Sequence, residues 1–454
     1  MDETEALDVA ARHLWYPRLP YAMYRDRERG PIQLVRGEGV FVWDDQGRRY
    51  YDGSAGLCVV NVGHGRPELR QAALEQMEAL AYHNPVAGVC APTAELARRL
   101  AALAPGELNR VFFTPSGSTA IEVALRIARQ FHYNRGERRR YKVVTRYGSY
   151  HGMTGGALAV NVSLRGDRVP SEPMGAGGLP VAGLDCYRCS YERTYPQCEV
   201  FCARYIESII ESEGPQTVAA VLAEPLDTAY RGQVPPAEYW PTIREICDRH
   251  GVLLVADEVV TGLGRTGRWF ASQQLGVTPD LIAVAKGLTS GHVAAGATIA
   301  SDRVFAAFEG MGEQLGVISS FAGQPVASRV ALANLEILEQ EGLVDNARRL
   351  GELLGDELEG LRQRLALVGN VQGMGLLWSI QLVQPDGAYF ARAQVPRLAG
   401  LLDAHLKRNE VLMLAADRII MAPPLCITKD ELLDLLARVE AALVAAAQEL
   451  GANS

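Results

Sequence analysis

The sequence predicts an α/β protein: a large domain with a mostly parallel sheet covered by helices on both faces, plus a smaller α+β domain built from the N- and C-terminal parts. Three observations predict it. Short apolar runs recur at Arg110–Thr114, Lys142–Thr145, Val218–Glu224 and residues 252–257, 281–285 and 296–300, each too brief for a helix. Amphipathic stretches separate several of them, and such βα alternation implies a parallel, doubly covered sheet. After Phe321-Ala322-Gly323-Gln324-Pro325 the texture changes to long helical patterns followed by mixed strand and helix signals. At 454 residues the chain exceeds the size at which one core stops growing, so about two domains are expected. The expected borders put an N-terminal arm and part of the small domain at 1–75, the large domain at 76–325, and the rest of the small domain at 326–454.

Taken in order, residues 1–35 read as an irregular arm with aromatic anchors at Trp15, Tyr16, Tyr21 and Tyr24. Residues 39–43 alternate toward the turn signal Asp44-Asp45-Gln46-Gly47, and Arg49-Tyr50-Tyr51-Asp52 resumes, which predicts a β-hairpin. A glycine-rich apolar loop covers 53–65, and helices are predicted over Pro67–Ala81 and Ala91–Leu103. The strand at 110–114 breaks at Pro115-Ser116-Gly117-Ser118-Thr119 before a helix over Ala120–Tyr133, with Ile121, Ala124, Leu125 and Ala128 on one face. Residues 160–200 read as loop, and helices at Glu199–Ser212 and Glu238–Arg249 flank the strand at 218–224. Beyond these come helices Val326–Glu341 and Asn346–Leu361, a strand at 375–382 and a helix at 395–408. A hairpin pairing Val411–Leu414 with Ile419–Ala422 and a terminal helix Lys429–Leu450 complete the expectation.

Composition excludes some function classes. Hydrophobic content of 48% with 22% charged residues is that of an ordinary globular protein. Forty-five basic against fifty-three acidic residues give a net charge of −8, with no basic block beyond Arg138-Arg139-Arg140. That argues against a nucleic-acid or anionic-membrane surface. No run approaches the ~18 apolar residues of a membrane span, and the acidic start lacks an apolar leader, so a cytoplasmic location is expected. Eight cysteines in so long a chain do not suggest a disulfide framework.

The chemistry centres on Gly251-Val252-Leu253-Leu254-Val255-Ala256-Asp257-Glu258-Val259, answered 29 residues later by Lys286 in Ala283-Val284-Ala285-Lys286-Gly287. Each short strand delivers an ionisable side chain at its carboxyl end, the edge where open α/β sheets bind ligands. A structural ion pair is one reading of Asp257 and Lys286. The flanking glycines, Gly287 and the turn Thr261–Gly267, let backbone and ligand approach closely. They favour a second reading, in which Lys286 forms a Schiff base with pyridoxal phosphate and Asp257 holds the pyridinium nitrogen. Ser116-Gly117-Ser118 lies between a strand and a helix N-terminus, which is either an anion site or a plain N-cap. Tyr150, beside glycine at a strand end, either stacks on a planar cofactor or packs internally.

Together Ser116-Gly117-Ser118, Tyr150-His151-Gly152, Ala223-Glu224-Pro225, Asp257-Glu258-Val259, Ala285-Lys286-Gly287 and Phe321–Pro325 resemble the class III (ω-) aminotransferases, pyridoxal-phosphate enzymes of the aspartate-aminotransferase fold. The resemblance spans roughly residues 40–445 in order. It implies that Lys286 carries the cofactor as an internal aldimine and then shuttles a proton. It further implies that Asp257 keeps the ring nitrogen protonated, with Val259 and Tyr150 on opposite ring faces and His151 in the same motif. Glu224 would sit near Asp257 and the phenolic oxygen, while Ser116, Gly117 and Ser118 cup the phosphate. Ser320 stands where the family has a threonine given to the phosphate across a homodimer with two shared active sites.

Departures from the family pattern concern the substrate. The place of a carboxylate-binding arginine is apolar here, Leu412-Met413-Leu414-Ala415-Ala416, and the nearest cation is Arg418. A neutral pocket does not repay desolvation of a carboxylate. Cys58 stands where amine transaminases place a pocket tryptophan, leaving room for a bulkier substrate. The expected activity is therefore amino transfer between a small-molecule amine donor and a carbonyl acceptor, with bulky or non-carboxylate substrates such as amino sugars. A racemase, epimerase or dehydratase on the same scaffold is the alternative. A Rossmann dehydrogenase is excluded because no Gly-x-Gly-x-x-Gly turn follows an early strand. Cys186-x2-Cys189-x8-Cys198-x3-Cys202 is a candidate structural zinc site, with Cys198 and Cys202 on one helix face; free buried thiols are the other reading.

Overall fold

The structure is a computed structural model that describes residues 3–17, 21–24, 26, 30–161, 171–172, 174–175, 177–228, 232–310 and 312–451. In chain order it begins with α1 (Glu3–His13), β1 (Leu34–Glu38), β2 (Phe41–Asp44), β3 (Arg49–Asp52) and α2 (Ala55–Cys58). Next come α3 (Pro67–Leu80), α4 (Ala91–Leu103), β4 (Arg110–Thr114), α5 (Gly117–Asn134), β5 (Lys142–Arg146), α6 (Gly155–Val160) and β6 (Gly178–Val181). They are followed by α7 (Phe201–Glu213), β7 (Val218–Ala223), α8 (Tyr239–His250), β8 (Leu253–Asp257), α9 (Ala271–Gln274), β9 (Leu281–Val284), β10 (Gly296–Ala300) and α10 (Asp302–Phe305). The last third holds α11 (Pro325–Gln340), α12 (Leu343–Arg364), β11 (Val368–Met374), β12 (Leu377–Leu382) and α13 (Val395–Arg408). It closes with β13 (Val411–Leu412), β14 (Leu414–Ala415), β15 (Arg418–Met421) and α14 (Lys429–Glu449). Among the described residues no helix is long and apolar enough to cross a membrane.

Two compact units divide the chain. A central unit comprises Pro67–Gly351 with Gln372–Leu377; a terminal unit comprises Met1–Arg66, Glu352–Val371 and Trp378–Ser454.

The central unit is built on a seven-stranded sheet ordered β4-β10-β9-β8-β7-β5-β6. Neighbours from β9 to β6 are parallel, and β10 runs antiparallel to both β9 and β4. Every residue of β7, β8 and β9 is buried, so those segments read as unbroken apolar runs rather than alternating ones. Ala220, Leu222, Leu253, Val255, Leu281 and Ala283, two apart on their strands, pack with Ala120, Ile121, Ala124 and Leu125 of α5. Each larger aliphatic side chain so buried contributes about 1.5–3 kcal/mol. The expected loop at 160–200 is interrupted by β6, which pairs with β5 at the sheet edge. Its Gly178 and Pro180 hide it from propensity, and an edge position is where proline is tolerated.

The terminal unit carries two four-stranded sheets, β1-β2-β3-β13 and β11-β12-β15-β14. The hairpin expected at 411–422 is divided between them. Val411 pairs in parallel with Tyr51, whereas Leu414 pairs antiparallel with Ile420. The arm read as irregular contains α1, and of its aromatic residues Tyr24 is buried while Trp15 is 96% exposed. Asp44 closes the turn between β2 and β3. Its buried carboxylate accepts from the N–H groups of Gln46 and Arg48 at 3.0 and 2.9 Å, from Arg48 Nε at 2.7 Å and from the Tyr50 hydroxyl at 3.1 Å. Burial pushes the Asp44 carboxyl upward, but those donors outweigh it and hold the group below the ordinary aspartate range.

Candidate active site

Strand register assembles the site. Ala223 of β7 pairs with Ala256 of β8, and Asp257 pairs with Ala283 of β9. In parallel strands this brings Glu224, Asp257 and the residues leading to Lys286 out at one carboxyl edge. The loop after β5 and the N-terminus of α5 reach the same edge, as the side-chain contacts show.

Asp257 is buried, its Oδ2 lies 2.7 Å from His151 Nδ1, and its Oδ1 accepts from the Val259 N–H at 3.1 Å. A carboxylate only accepts, so Nδ1 carries the shared proton and the imidazole orientation is set by Asp257. Behind the ring, Nε2 stands 3.4 Å from the Thr145 hydroxyl. The His151 N–H donates to Asn161 Oδ1 at 2.5 Å, and Asn161 Nδ2 donates to the Gly152 carbonyl at 2.5 Å. Neighbouring Glu224 is also buried; Oε1 accepts from the Tyr150 N–H at 3.0 Å, and Oε2 accepts from the N–H and hydroxyl of Thr228. Buried Arg146 donates to the Glu224 carbonyl at 2.7 Å, tying the ends of β5 and β7 together. On the other side of the β8 backbone, Glu258 accepts from the Thr261 hydroxyl and the N–H groups of Ala271 and Ser272 at 2.7, 2.9 and 2.8 Å. Burial raises its pKa.

The N-terminus of α5 is wedged into this edge. Ser116 is its N-cap, accepting from the Thr119 N–H at 3.3 Å, while Thr119 Oγ1 accepts the Ser116 N–H at 3.1 Å. The N-cap reading of Ser116 is thus realised, and the Gly117 and Ser118 N–H groups sit in the first turn, where helix geometry offers them no acceptor. A Cβ on Gly117 would lie 2.9 Å from Val259 Cγ1 and 3.5 Å from Ala285 Cβ. Gly152, at φ +132°, packs on Ser118, whose Oγ accepts the Met153 N–H at 3.2 Å. Lys286 is half-buried and follows β9 with φ +41°. The sequence has four lysines; Lys142 and Lys407 pair with Glu213 and Asp403, each at 2.7 Å, and exposed Lys429 opens α14. Tyr150 is 56% exposed at the rim.

The contacts just described do not include Ser320, Cys58 or Arg418. Ser320 is exposed in the turn before α11. Cys58 and Arg418 belong to the terminal unit: Cys58 is buried at the end of α2 with φ +58°, and buried Arg418 on β15 has Nη1 3.4 Å from the Asp417 carboxylate.

Comparison with known proteins decides the family. The profile described as aminotransferase class-III matches residues 23–443, nearly the whole chain. The chain belongs to the class-III aminotransferases. A probable aminotransferase of Mycobacterium tuberculosis is 41% identical over 426 residues, covering 92% of this chain and 90% of that protein. The putrescine–pyruvate aminotransferase of Pseudomonas aeruginosa is 35% identical, covering 92% and 91%. Among solved structures, an (S)-enantioselective omega-transaminase from Thermomicrobium roseum superposes with TM-score 0.92 at 38% identity, covering 98% of each chain. An amine transaminase from an uncultivated Pseudomonas species, solved in its pyridoxal-phosphate-bound form, gives 0.89 at 35% identity, covering 96% of this chain and 99% of its own. The protein is therefore an aminotransferase, its fold matches these structures, and the family implies pyridoxal phosphate.

The zinc expectation finds no support. All eight cysteines are free thiols, and Cys186, Cys189, Cys198 and Cys202 line one small cavity with Tyr191 and Phe201. Tetrahedral zinc at about 2.3 Å from each sulfur demands sulfurs roughly 3.8 Å apart. Among the described residues, the group whose ligand atoms come within 4.8 Å of one another is Glu207, Glu211 and His250; the four thiols do not meet that condition. Nor do Cys198 and Cys202 share a helix face, because Glu199 and Val200 take φ of +47° and α7 begins only at Phe201. Burial pushes the Cys186 and Cys202 thiols up to about 11 and about 12. In the aminotransferase site itself, Arg146, Asn161 and Thr228 are residues that sequence reasoning missed. Their partners lie on other strands or loops, so nothing local marks them.

Proposed function

We propose that this aminotransferase takes an amino group from a primary amine lacking an α-carboxylate and passes it to a carbonyl acceptor, with Lys286 as the point of cofactor attachment. The observation that carries this reading is the shared strand edge, where Asp257 and the Lys286 segment emerge from adjacent parallel strands. Pyridoxal phosphate, when bound, supplies an electron-poor ring that accepts density from the carbon losing its proton. The residues present fit such a group. Glycine at 117 lets the first turn of α5 come within reach of Val259 and Ala285, where any Cβ would intrude. That turn directs the Gly117 and Ser118 N–H groups and the positive helix end toward a phosphate.

Asp257 contributes a buried negative charge for the ring nitrogen, and His151 keeps that carboxylate oriented. Val259 and Tyr150 are the candidates for the two ring faces. Glu224, held by the N–H groups of Tyr150 and Thr228, would face the cofactor's phenolic oxygen. Lys286, once free as an amine, would take the proton from the substrate carbon and deliver it to the cofactor carbon on the far side of the amino nitrogen. Ser320, exposed in a single chain, supports a homodimer in which its hydroxyl reaches the other subunit's phosphate.

Arg418 supports the choice of donor. Its guanidinium already faces Asp417 inside its own unit, and the stretch around Leu414 is apolar. By sequence, the place of a carboxylate-binding arginine is apolar over 412–416, so a substrate carboxylate would lose hydration without a cation at that position. The name of the putrescine–pyruvate relative fits the same donor class, and bulky amines or amino sugars belong to it as well.

The test combines trapping and turnover. Borohydride reduction of the cofactor-loaded protein, with peptide mapping, is expected to label Lys286; label on Lys142, Lys407 or Lys429 refutes the assignment. A panel of diamines, aryl amines, amino sugars and α-amino acids is then scored for amine-dependent loss of the visible band and carbonyl release. Response to α-amino acids alone overturns the donor class. Solvent deuterium uptake at the substrate carbon without carbonyl product would support the racemase or epimerase alternative.

A further inference from the structure

The turn that carries Lys286 is held in an unusual backbone shape. Ala285 has φ −160° and ψ −139°, Lys286 has φ +41° and Ser290 has φ +47°. Neither Lys286 nor Ser290 is glycine, so both pay the steric penalty of the left-handed region. Such conformations persist only where the surroundings over-determine them, and they gather at functional sites.

One buried side chain supplies that constraint. Asn334 lies in the middle of α11 with no exposed surface, within the apolar run Val330-Ala331-Leu332-Ala333-Asn334-Leu335. Its Nδ2 donates to the Gly287 carbonyl at 2.8 Å and to the Leu288 carbonyl at 3.2 Å. Its Oδ1 accepts from the Ser290 hydroxyl at 2.6 Å. Every amide hydrogen bond that Asn334 makes on this surface therefore goes to the four residues after Lys286. An amide inserted in an apolar helix face is costly unless its bonds are made. Here they are made to a single short turn. The turn adds internal bonds, from the Thr289 N–H to the Lys286 carbonyl at 3.3 Å and from the Thr289 hydroxyl to the Val293 carbonyl at 2.5 Å. Asn334 is the part of this frame that comes from another element.

We propose that Asn334 is a positioning residue that locks the Lys286 turn in its left-handed form, so that the lysine amine is presented at the strand edge beside Asp257. The proposal rests on Lys286 being the point of cofactor attachment. Without the amide, the turn relaxes toward ordinary φ values and the Lys286 side chain leaves from a different direction. The amine then has to be brought back for every attachment, which slows that step. Its surroundings change too, which moves the pH at which the attached form titrates.

The experiment compares Asn334→Ala and Ser290→Ala with wild type. Apoprotein is mixed with pyridoxal phosphate, and growth of the visible band is followed by stopped flow. The substrate-free holoprotein is titrated by pH, and the apoprotein thermal midpoint is recorded alongside. Asn334→Ala is expected to slow attachment at least tenfold and to shift the titration midpoint measurably. Ser290→Ala, which removes one of the three bonds, is expected to fall between it and wild type. A lower thermal midpoint with attachment rate and titration midpoint within twofold of wild type overturns the proposal and leaves Asn334 a core residue only. If Asn334→Ala does not fold, Ser290→Ala decides alone, and wild-type behaviour there also overturns it. Borohydride mapping separates the two levels: label on Lys286 with unchanged variant rates sinks only this proposal, whereas label on another lysine removes the premise on which it stands.

Discussion

Replacing Gly117 by alanine tests the phosphate cradle with one methyl group. The new Cβ would sit 2.9 and 3.2 Å from the two Val259 methyls and 3.5 Å from Ala285 Cβ. Carbon contacts are comfortable at about 3.5–4.0 Å, so the overlap with Val259 is roughly 0.5–1 Å. Helix propensity acts the other way, favouring alanine by at most about 1 kcal/mol and by less in a first turn. Overpacking of this kind costs about 1–3 kcal/mol, so the clash wins. It is relieved by moving either the first turn of α5 or Val259, and both are assigned to the cofactor. If the full cost falls on cofactor binding, affinity drops roughly 5- to 140-fold. The assay is titration of apoprotein with pyridoxal phosphate. Gly400→Ala, in α13 with open space around its Cβ, serves as the control and is expected to bind as wild type. Wild-type affinity in Gly117→Ala would refute the cradle.

Two further outcomes follow from the same contacts. Asp257→Asn keeps the size of the side chain that faces His151 and Val259 but removes the charge, so cofactor retention is expected to change less than tenfold. Steady-state turnover is expected to fall at least a hundredfold, about 2.7 kcal/mol of transition-state stabilisation, and turnover within threefold of wild type would contradict the electrostatic role. Asp44 governs an acid limb: its folded pKa lies below the unfolded value, so its contribution is full above about pH 4 and is lost as pH falls through the folded pKa. Denaturation of apoprotein between pH 6 and pH 3 should therefore show a shallower acid loss in Asp44→Asn, which starts about 1–3 kcal/mol less stable; parallel curves would dismiss it.

What could be read from residue order alone follows from burial. The runs in β7, β8 and β9 are apolar up to the terminal Asp257 of β8 because both faces are covered, so strand and end residue were visible together. The motif positions Gly117, Tyr150, Glu224, Asp257 and Lys286 stand at such breaks. Pairings across distance were not visible: nothing near His151 announces Asp257, 106 residues away. Asn334 was hidden because a polar residue in a helical run reads as the outward face until the neighbouring turn is known. The cysteine spacing suggested one helix face for Cys198 and Cys202 because it counts residues along the chain, whereas two left-handed residues set Cys198 off α7. β6 was concealed by the glycine and proline that its edge position tolerates.

Helix α5 has a consequence beyond its first turn. It spans 18 residues, about 27 Å, and is bedded along β7, β8 and β9. Near its far end, buried Phe131 joins the same packing and the His132 ring meets the Ala219 carbonyl at 3.0 Å. The helix is therefore a girder seated on β4, β7, β8, β9 and β10, with its N-terminus at the strand edge. Damage some 21 Å from the tip, at Phe131 or His132, would tilt the whole girder and with it the turn proposed to hold the phosphate. Weakened retention of the prosthetic group would then be an early sign of a fault in the protein's interior.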